Sequence, residues 1–441
     1  MKKIGIVLLV CLLLTGCGLV NTSNEGKGNK NPTNTTSVLG TTPAKGTDVP
    51  KGTDHPTEVP SEPQYKLVVD GQTIYLNQEA STLSVLGDAL DTVEKESIVY
   101  NGTEKIYQYD GFSVHVVPVD GKDIIEGITI SSSSITTEEG VKIGDEISRV
   151  TSIYEDASES KDSIYMTTLG ETSIRFIELE DKVAAINYFT TKAPTALTSE
   201  NTEPSMKYVF ETTFYMEEEY YDYIRYVQGV DDVDQDVTIV VDHSKVKEEE
   251  KGVYNVTYYA YDRAGNHAKR TVEITVANKP DNYVAHEELD QLADQVLASI
   301  LSDGMTQKEK QTAIYKWIHE NIRYIAHSEK EDWVQTAYES IRKKKADCFG
   351  YYAVGQELLY RAGIDSLRVK EKDGTLGSTH YWSMVDSGHG WYHYDTTPRK
   401  AGGVFNMVTD EELLEYSKAH DNSHYWDRDI YPATPTEKYK G

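Results

Sequence analysis

Cysteine is scarce in this 441-residue chain: Cys11, Cys17 and Cys348 are the full set. Positive charge is also short, with 44 Lys and Arg against 72 Asp and Glu and a formal net charge of −28. A chain with that field repels phosphate polyanions, which argues against nucleic acid as a partner. The apolar run at the N-terminus, residues 4–14, is too short to span a bilayer comfortably. Metal-ligand spacing is missing as well, because one mature cysteine and scattered histidines make no zinc pattern. The acidic run Asp231-Asp232-Val233-Asp234-Gln235-Asp236 lacks the glycine and the distal glutamate of an EF-hand loop. It reads as a solvated loop. His115 reads as a strand residue rather than a ligand. No metal and no organic cofactor is expected.

What is present begins with a leader. Lys2 and Lys3 precede the apolar run, which ends at Leu14-Thr15-Gly16-Cys17. That ending resembles the lipobox of bacterial lipoproteins, where small residues precede a cysteine whose thiol takes a diacylglycerol before cleavage. Residues 1–16 are then a signal peptide, and Cys17 carries the lipid that holds the protein on the outer face of the cell membrane, outside the cytoplasm. Cleavage removes Lys2 and Lys3, so the mature charge is −28 − 2 = −30. Residues 17–62 are rich in Thr, Pro, Gly, Asn and Lys and contain the tandem six-residue repeat Lys45-Gly46-Thr47-Asp48-Val49-Pro50 and Lys51-Gly52-Thr53-Asp54-His55-Pro56. This composition predicts a disordered tether with a root-mean-square reach of about 40 Å.

Three folded regions follow. Residues 63–193 alternate apolar and polar positions between turn signals at Asp70-Gly71, Asp110-Gly111 and Asp120-Gly121. Gly87-Asp88-Ala89-Leu90-Asp91-Thr92-Val93 matches Gly144-Asp145-Glu146-Ile147-Ser148-Arg149-Val150, each read as opening a short helix. Strand pairs follow at 112–119 with 127–131 and at 172–179 with 183–189. The expectation is an α+β region of two helix-plus-meander modules. Residues 198–278 look all-β. The phrase from Gly252 through Tyr254, Val256-Thr257-Tyr258, Ala260 and Asp262 to Ala264-Gly265-Asn266 resembles the closing strands of bacterial immunoglobulin-like surface domains, which implies a β-sandwich. Residues 283–441 change to helices and then strands. Leu289, Leu292, Val296 and Ile300 share one helical face. Thr306-Gln307-Lys308-Glu309 is a capping box opening a helix with Ala313, Ile314, Trp317 and Ile318.

Cys348 is the thiol that needs an explanation. Cys11 leaves with the leader and Cys17 is acylated, so Cys348 has no partner within the chain. Proteins outside the cytoplasm usually pair their cysteines or lack them. Asp347 is a fitting N-cap for a helix that stops at Ala362-Gly363, which puts Cys348 on its first turn. There the unpaired N–H groups and the dipole favour a thiolate, the form that attacks an acyl carbon. Downstream, 379–385 and 390–395 read as two strands about a tight turn. With Ser387 and Gly388 as the loop, paired positions sum to 775, and His380 stands opposite Asp395. A carboxylate there would orient the imidazole and stabilise its charged form. Trp391 and Tyr394 read as core or cleft wall, and His389 and His393 as surface or cleft neighbours.

These blocks resemble the transglutaminase-like superfamily, a papain-like Cys-His-Asp fold. The likeness covers about residues 285–430. It rests on Cys348 at a helix start, His380 with Trp382 two positions on, Trp391-Tyr392-His393, Asp395-Thr396-Thr397-Pro398, and Val408-Thr409-Asp410-Glu411-Glu412-Leu413. One departure is Lys343-Lys344-Lys345-Ala346-Asp347 before the cysteine, where the family often has glycine. The resemblance implies that Cys348 attacks an amide carbonyl, His380 shuttles the proton and Asp395 orients His380. The Cys348 N–H would help hold the oxyanion. Gln335 and Trp333 are upstream candidates for a second donor, and Trp382 lies beside the cleft. The implied protein is a multidomain, surface-anchored cysteine enzyme acting on amide bonds of protein or peptide substrates, wall-associated ones included. Hydrolysis, deamidation and cross-linking share its thioester. The alternative is a non-catalytic binding or adhesion lipoprotein that uses the same fold as a scaffold.

Overall fold

The computed structural model describes residues 62–161, 163–199, 202–218, 221–326, 332–372 and 379–440, with the backbone of Leu8–Val10. The signal and tether readings otherwise fall outside the described residues. Leu8–Val10 runs antiparallel along the edge strand Thr238–Asp242, a pairing that processing at Cys17 would remove.

In the first region, the Asp-Gly signals act as two-residue hairpin turns. Val69 faces Gln72 across Asp70-Gly71, Tyr109 faces Phe112, and Val119 faces Lys122. Both residues are left-handed at Asp70-Gly71 and at Asp120-Gly121, as a type I′ turn requires. Eight antiparallel strands form one sheet, in the order Asp91–Glu96, Thr103–Tyr109, Phe112–Val119, Lys122–Ile130, Lys182–Thr190, Thr172–Leu179, Ile164–Leu169, Ser158–Lys161. Two four-strand meanders thus meet where Ile186 faces Ile130. The repeated Gly-Asp motif behaves differently in its two copies. Ile147, Val150 and Ile153 recur at helical spacing and form the helix Ile147–Ile153. In the first copy the same spacing runs Leu90, Val93, Glu96. The apolar stripe stops, and Asp91–Glu96 is a strand instead.

The second region is less complete than a sandwich of seven strands. Among the described residues, Thr238–Asp242, Gly252–Tyr261 and His267–Ala277 form an antiparallel sheet, which Thr213–Tyr215 joins in parallel. Ser205–Lys207 and Gln228–Val230 make a separate two-stranded ladder. The acidic run is not a solvated loop throughout. Asp234 and Asp236 are buried against the first region. Burial, then the charge of Asp236, pushes the Asp234 carboxyl up to about 7. Here Arg263 reaches Glu126 and donates to the Thr190 carbonyl at 2.6 Å, while Arg175 donates to the Asp262 carbonyl at 2.5 Å. His115 lies in the same junction, 2.8 Å from Glu104 and 3.1 Å from Glu126.

The third region carries the helices His286–Ile300, Gln307–Asn321, Trp333–Lys343 and Cys348–Arg361 against a four-stranded antiparallel sheet. Its strands are Ser366–Lys370, Tyr381–Asp386, Trp391–Asp395 and Phe405–Val408, followed by the helix Asp410–Ala419. Thr306 and Glu309 cap each other at the start of the second helix, and Thr409 and Glu412 repeat the device. Cys348–Arg361 is the central element: twelve of its fourteen residues are buried, so it is covered on every side. The hairpin register differs from the expected one. Ser383 faces Tyr394 and Asp386 faces Trp391, so pairs sum to 777 around the four-residue loop 387–390. Extended outward, that register puts Asp395 opposite Trp382 and His380 on the diagonal. The change in the sum is even, so both side chains stay on one face.

Candidate active site

Asp347 stops being extended chain and becomes an N-cap, its carboxylate accepting from the Gly350 N–H at 3.2 Å. Lys344, three residues earlier, takes the left-handed conformation with φ 53°, which lets Lys345–Ala346 pair beside Arg323–Tyr324 and enter the helix at this angle. Cys348 is the first helical residue and 7% exposed. Its backbone N–H, at the first position, has no acceptor within the helix. The thiol donates to the Thr379 carbonyl at 3.6 Å, which ties the helix start to the residue before His380.

His380 is held from both sides. Its backbone N–H donates to Glu371 Oε2 at 2.9 Å, and its ring stacks on Trp382 with centroids 5.4 Å apart. Nε2 lies 2.9 Å from Asp395 Oδ2. Burial works against the charged ring. The Asp395 charge and hydrogen bond, with a hydrogen bond from the protonated ring to the Cys348 sulfur, outweigh it and raise the pKa above the ordinary histidine value. With Nε2 engaged by Asp395, Nδ1 is the nitrogen left for the sulfur. Asp395 is 1% exposed. Burial alone would raise its pKa, yet His380, Arg399 and His424 hold the carboxyl well below the usual carboxylate range. Its other oxygen accepts from the Thr397 N–H at 2.9 Å. Cys348, His380 and Asp395, singled out from sequence, are therefore brought together.

Of the remaining candidates, Trp382 lies against the His380 ring, while Trp333 and Gln335 do not join the group. Trp333 packs away from the thiol region in a ring cluster with Phe210 at 5.9 Å and Tyr226 at 5.7 Å. Gln335 donates to Glu339 one helical turn on, at 2.9 Å. Trp382 is fully buried beneath His380, and its Nε1–H is committed to His393 Nδ1 at 3.0 Å. None of the three has a donor shown at the sulfur. His393, expected at the surface or in the cleft, is fully buried and passes the chain on to Asp410 at 2.9 Å, which Arg428 holds at 2.7 Å. The indole N–H needs an acceptor in the core, and a neutral histidine supplies it. His389 is exposed in the hairpin loop, as expected.

Two residues were missed. His424 Nε2 lies 3.0 Å from Asp395 Oδ2, and Arg399 Nη2 lies 3.1 Å from the same oxygen. A signal for His424 was present: Ser423-His424-Tyr425-Trp426 repeats the pattern Thr379-His380-Tyr381-Trp382. Ser417, in the last helix, fixes it by exchanging hydrogen bonds with the His424 backbone at 2.8 and 2.9 Å. One atom each of His380, Asp395 and His424 fall within 4.8 Å of one another, a spacing that could suit a metal ion. The guanidinium of Arg399 fills that position: its Nη2 is 2.5, 3.1 and 3.0 Å from the three atoms. A side-chain cation occupies the place of a metal.

A family model described as the transglutaminase-like superfamily matches residues 294–396, which include Cys348, His380 and Asp395. Arg399 and His424 fall beyond it. A crystal structure of a candidate cysteine protease from Cytophaga hutchinsonii aligns at 15% identity and a TM-score of 0.21, covering 40% of this chain and 69% of that one. A crystal structure of a TGase aligns at 14% identity and a TM-score of 0.22, covering 31% of this chain and 38% of that one. No curated protein matches the sequence.

Proposed function

With residues 294–396 forming a transglutaminase-like superfamily domain, we propose that the protein is a cysteine enzyme acting on amide bonds of proteins or peptides, with Cys348 as nucleophile, His380 as proton carrier and Asp395 as orienting carboxylate. The observation that carries this reading is the buried His380–Asp395 pair, 2.9 Å apart, in which the carboxylate favours the protonated imidazole, with the sulfur of a helix-start cysteine as a further partner of the ring. The proton of Sγ passes to His380 Nδ1, and the thiolate attacks the amide carbonyl carbon. The oxyanion that forms is within the province of the Cys348 N–H at the helix start. His380 then gives its proton to the departing amine, and a thioester remains. Water or an amine closes the cycle, with His380 taking the proton of whichever attacks. Hydrolysis, deamidation and transamidation differ only in that last partner.

The lipid anchor on Cys17 and the tether over 17–62 belong to the same proposal. They would hold the enzyme at the outer face of the membrane, within reach of wall-associated protein. Cys17→Ser should release the protein or leave an uncleaved precursor; a variant that stays lipid-labelled and cell-bound defeats the anchor. The test of the chemistry is incubation of the protein with surface-protein extract, read by mass spectrometry for cleavage, deamidation or isopeptide bonds. Cys348→Ala should abolish every such product, since no other mature thiol can replace it. Products that persist in that variant would sink the reading.

A further inference from the structure

Asp395 Oδ2 faces three nitrogen atoms: His380 Nε2 at 2.9 Å, His424 Nε2 at 3.0 Å and Arg399 Nη2 at 3.1 Å. Arg399 Nη2 also lies 2.5 Å from His380 Nε2. A guanidinium can only donate. An imidazole nitrogen that close must present a lone pair to it or set one donor against another. When His380 Nε2 accepts from Arg399, the ring proton sits on Nδ1, and the nitrogen left for the thiol cannot take a second proton from it. When Nε2–H donates to Asp395 instead, Nδ1 is free to act as base. The imidazolium produced then stands against the guanidinium as a second cation. The base-ready tautomer and the imidazolium it becomes are both opposed by the same nitrogen of Arg399.

We infer that Arg399 is a positioning residue that holds His380 in a resting state, and that the Cys348–His380 ion pair forms fully only when the guanidinium withdraws from Nε2. The inference rests on Cys348 and His380 being the reacting pair proposed above. Little else fixes the guanidinium. Its Nε is buried with no hydrogen-bond partner, and the hydrogen bonds shown for it all run through Nη2. The side chain is one-fifth exposed, on a loop that runs to Gly402 and Gly403 with φ of 78° and 114°. Withdrawal would not strand Asp395. Burial, outweighing the pull of Asp395, holds the His424 pKa down at about 4, so His424 stays neutral near pH 7 and keeps its Nε2–H on the carboxylate. Its Nδ1 is matched by the Ser423 hydroxyl at 3.1 Å. Among the described residues, the other charged or titratable groups around this pair are Glu371 at the His380 backbone, Asp347 at the helix cap, Tyr324, whose phenol senses the charges of Cys348, Asp347, Arg399 and Asp395, and Tyr315 and His393, which sense Asp395. The step itself transfers one proton from Sγ to Nδ1 and needs no further reactant.

Alkylation of Cys348 by iodoacetamide tests this without knowledge of the substrate. The rate is read on the Cys348 peptide by mass spectrometry in the full chain, from about pH 5 to 9, for the wild type, Arg399→Met and Arg399→Lys. An unopposed imidazolium should make Arg399→Met react about tenfold faster near pH 6, with its acid limb displaced downward by about one unit. Arg399→Lys keeps the cation and should stay nearer the wild type. Arg399→Gln, similar in length and polar, replaces Arg399→Met if that variant fails a circular-dichroism check. A profile that superimposes on the wild type, or moves upward, overturns the role given to Arg399. A Cys348 that is inert in every variant across the range overturns the acyl-transfer reading itself.

Discussion

Asp395→Asn preserves shape and removes the charge that outweighs burial at His380. The amide can also offer its own N–H to Nε2, which selects the tautomer with the proton on Nδ1. Turnover should fall by about 10²–10⁴ with circular dichroism unchanged; a loss below tenfold would show that Asp395 does not orient the ring. His424 makes a different prediction. In the fold its pKa is held at about 4, while a histidine of the unfolded chain protonates near 6.5. Between those values the unfolded state binds more protons, so stability rises with pH across the window, by about 3 kcal/mol for one such residue. His380, raised in the fold, acts in the opposite sense: its contribution is complete below about pH 6.5 and fades as pH climbs through its folded value. An acid-side comparison therefore separates His424 from His380, and the difference between wild type and variant isolates it from other groups that titrate there, such as His286 and Asp365. His424→Gln keeps a donor toward Asp395 and should lessen the loss of urea stability between about pH 6.5 and 5. An unchanged slope would mean His424 titrates normally.

Within the cysteine helix, two glycines that look alike in sequence differ in what surrounds them. A Cβ on Gly350 would meet Ser340 Oγ at 2.7 Å and the Ala346 Cβ at 2.8 Å, because the preceding helix and the entry strand close against it. A Cβ on Gly355 finds Ile318 Cδ1 at 3.9 Å, an ordinary contact. Gly350→Ala should cost about 1–3 kcal/mol through overpacking and slow Cys348 alkylation by shifting the helix start. Gly355→Ala should gain up to about 1 kcal/mol from helix propensity. Effects of the same sign and size for the two substitutions in denaturant would refute the packing argument. At this scale the sequence was informative about starts and turns. Asp347, the Thr306 box and the Asp-Gly hairpins rest on local hydrogen bonds and backbone preference. The Thr409 box has the same pattern and was not singled out. The hairpin register was misread by one step in loop centre. Ser387-Gly388-His389-Gly390 contains two glycines, so composition does not distinguish a two-residue from a four-residue loop.

Across the whole molecule, the junction between the first two regions sets buried charge beside the apolar contacts of Val240 and Tyr261. Burial would raise the Glu126 pKa, yet Arg263 and His115 pull it down to about 2. Arg263→Met leaves that carboxylate with His115 at 3.1 Å and the Tyr100 hydroxyl at 3.5 Å. The expected cost is about 3 kcal/mol. Hydrogen exchange should quicken first in Lys182–Thr190 and Thr238–Asp242, leaving the helices around Cys348 protected. Uniform loss of protection would mean that the regions unfold as one unit. The acidic run could not be placed in this junction from its own composition. Asp234 and Asp236 become interior only because a separate sheet lies over them.

Some of this protein is written in short stretches of chain. The scarcity of cysteine isolates Cys348, a capping aspartate fixes it to a helix start, and strand alternation puts His380 and Asp395 on one sheet face. Each of these follows from contacts a few residues apart or from a period of two. The tertiary structure alone decided what surrounds that face. It buried His393 under Trp382, turned Trp333 and Gln335 to other partners, and carried Arg399 and His424 onto the oxygen that His380 also uses. Those placements depend on the packing of a loop and a final helix against the sheet, and on one carboxylate having lone pairs for several donors, and neither quantity is set by local sequence.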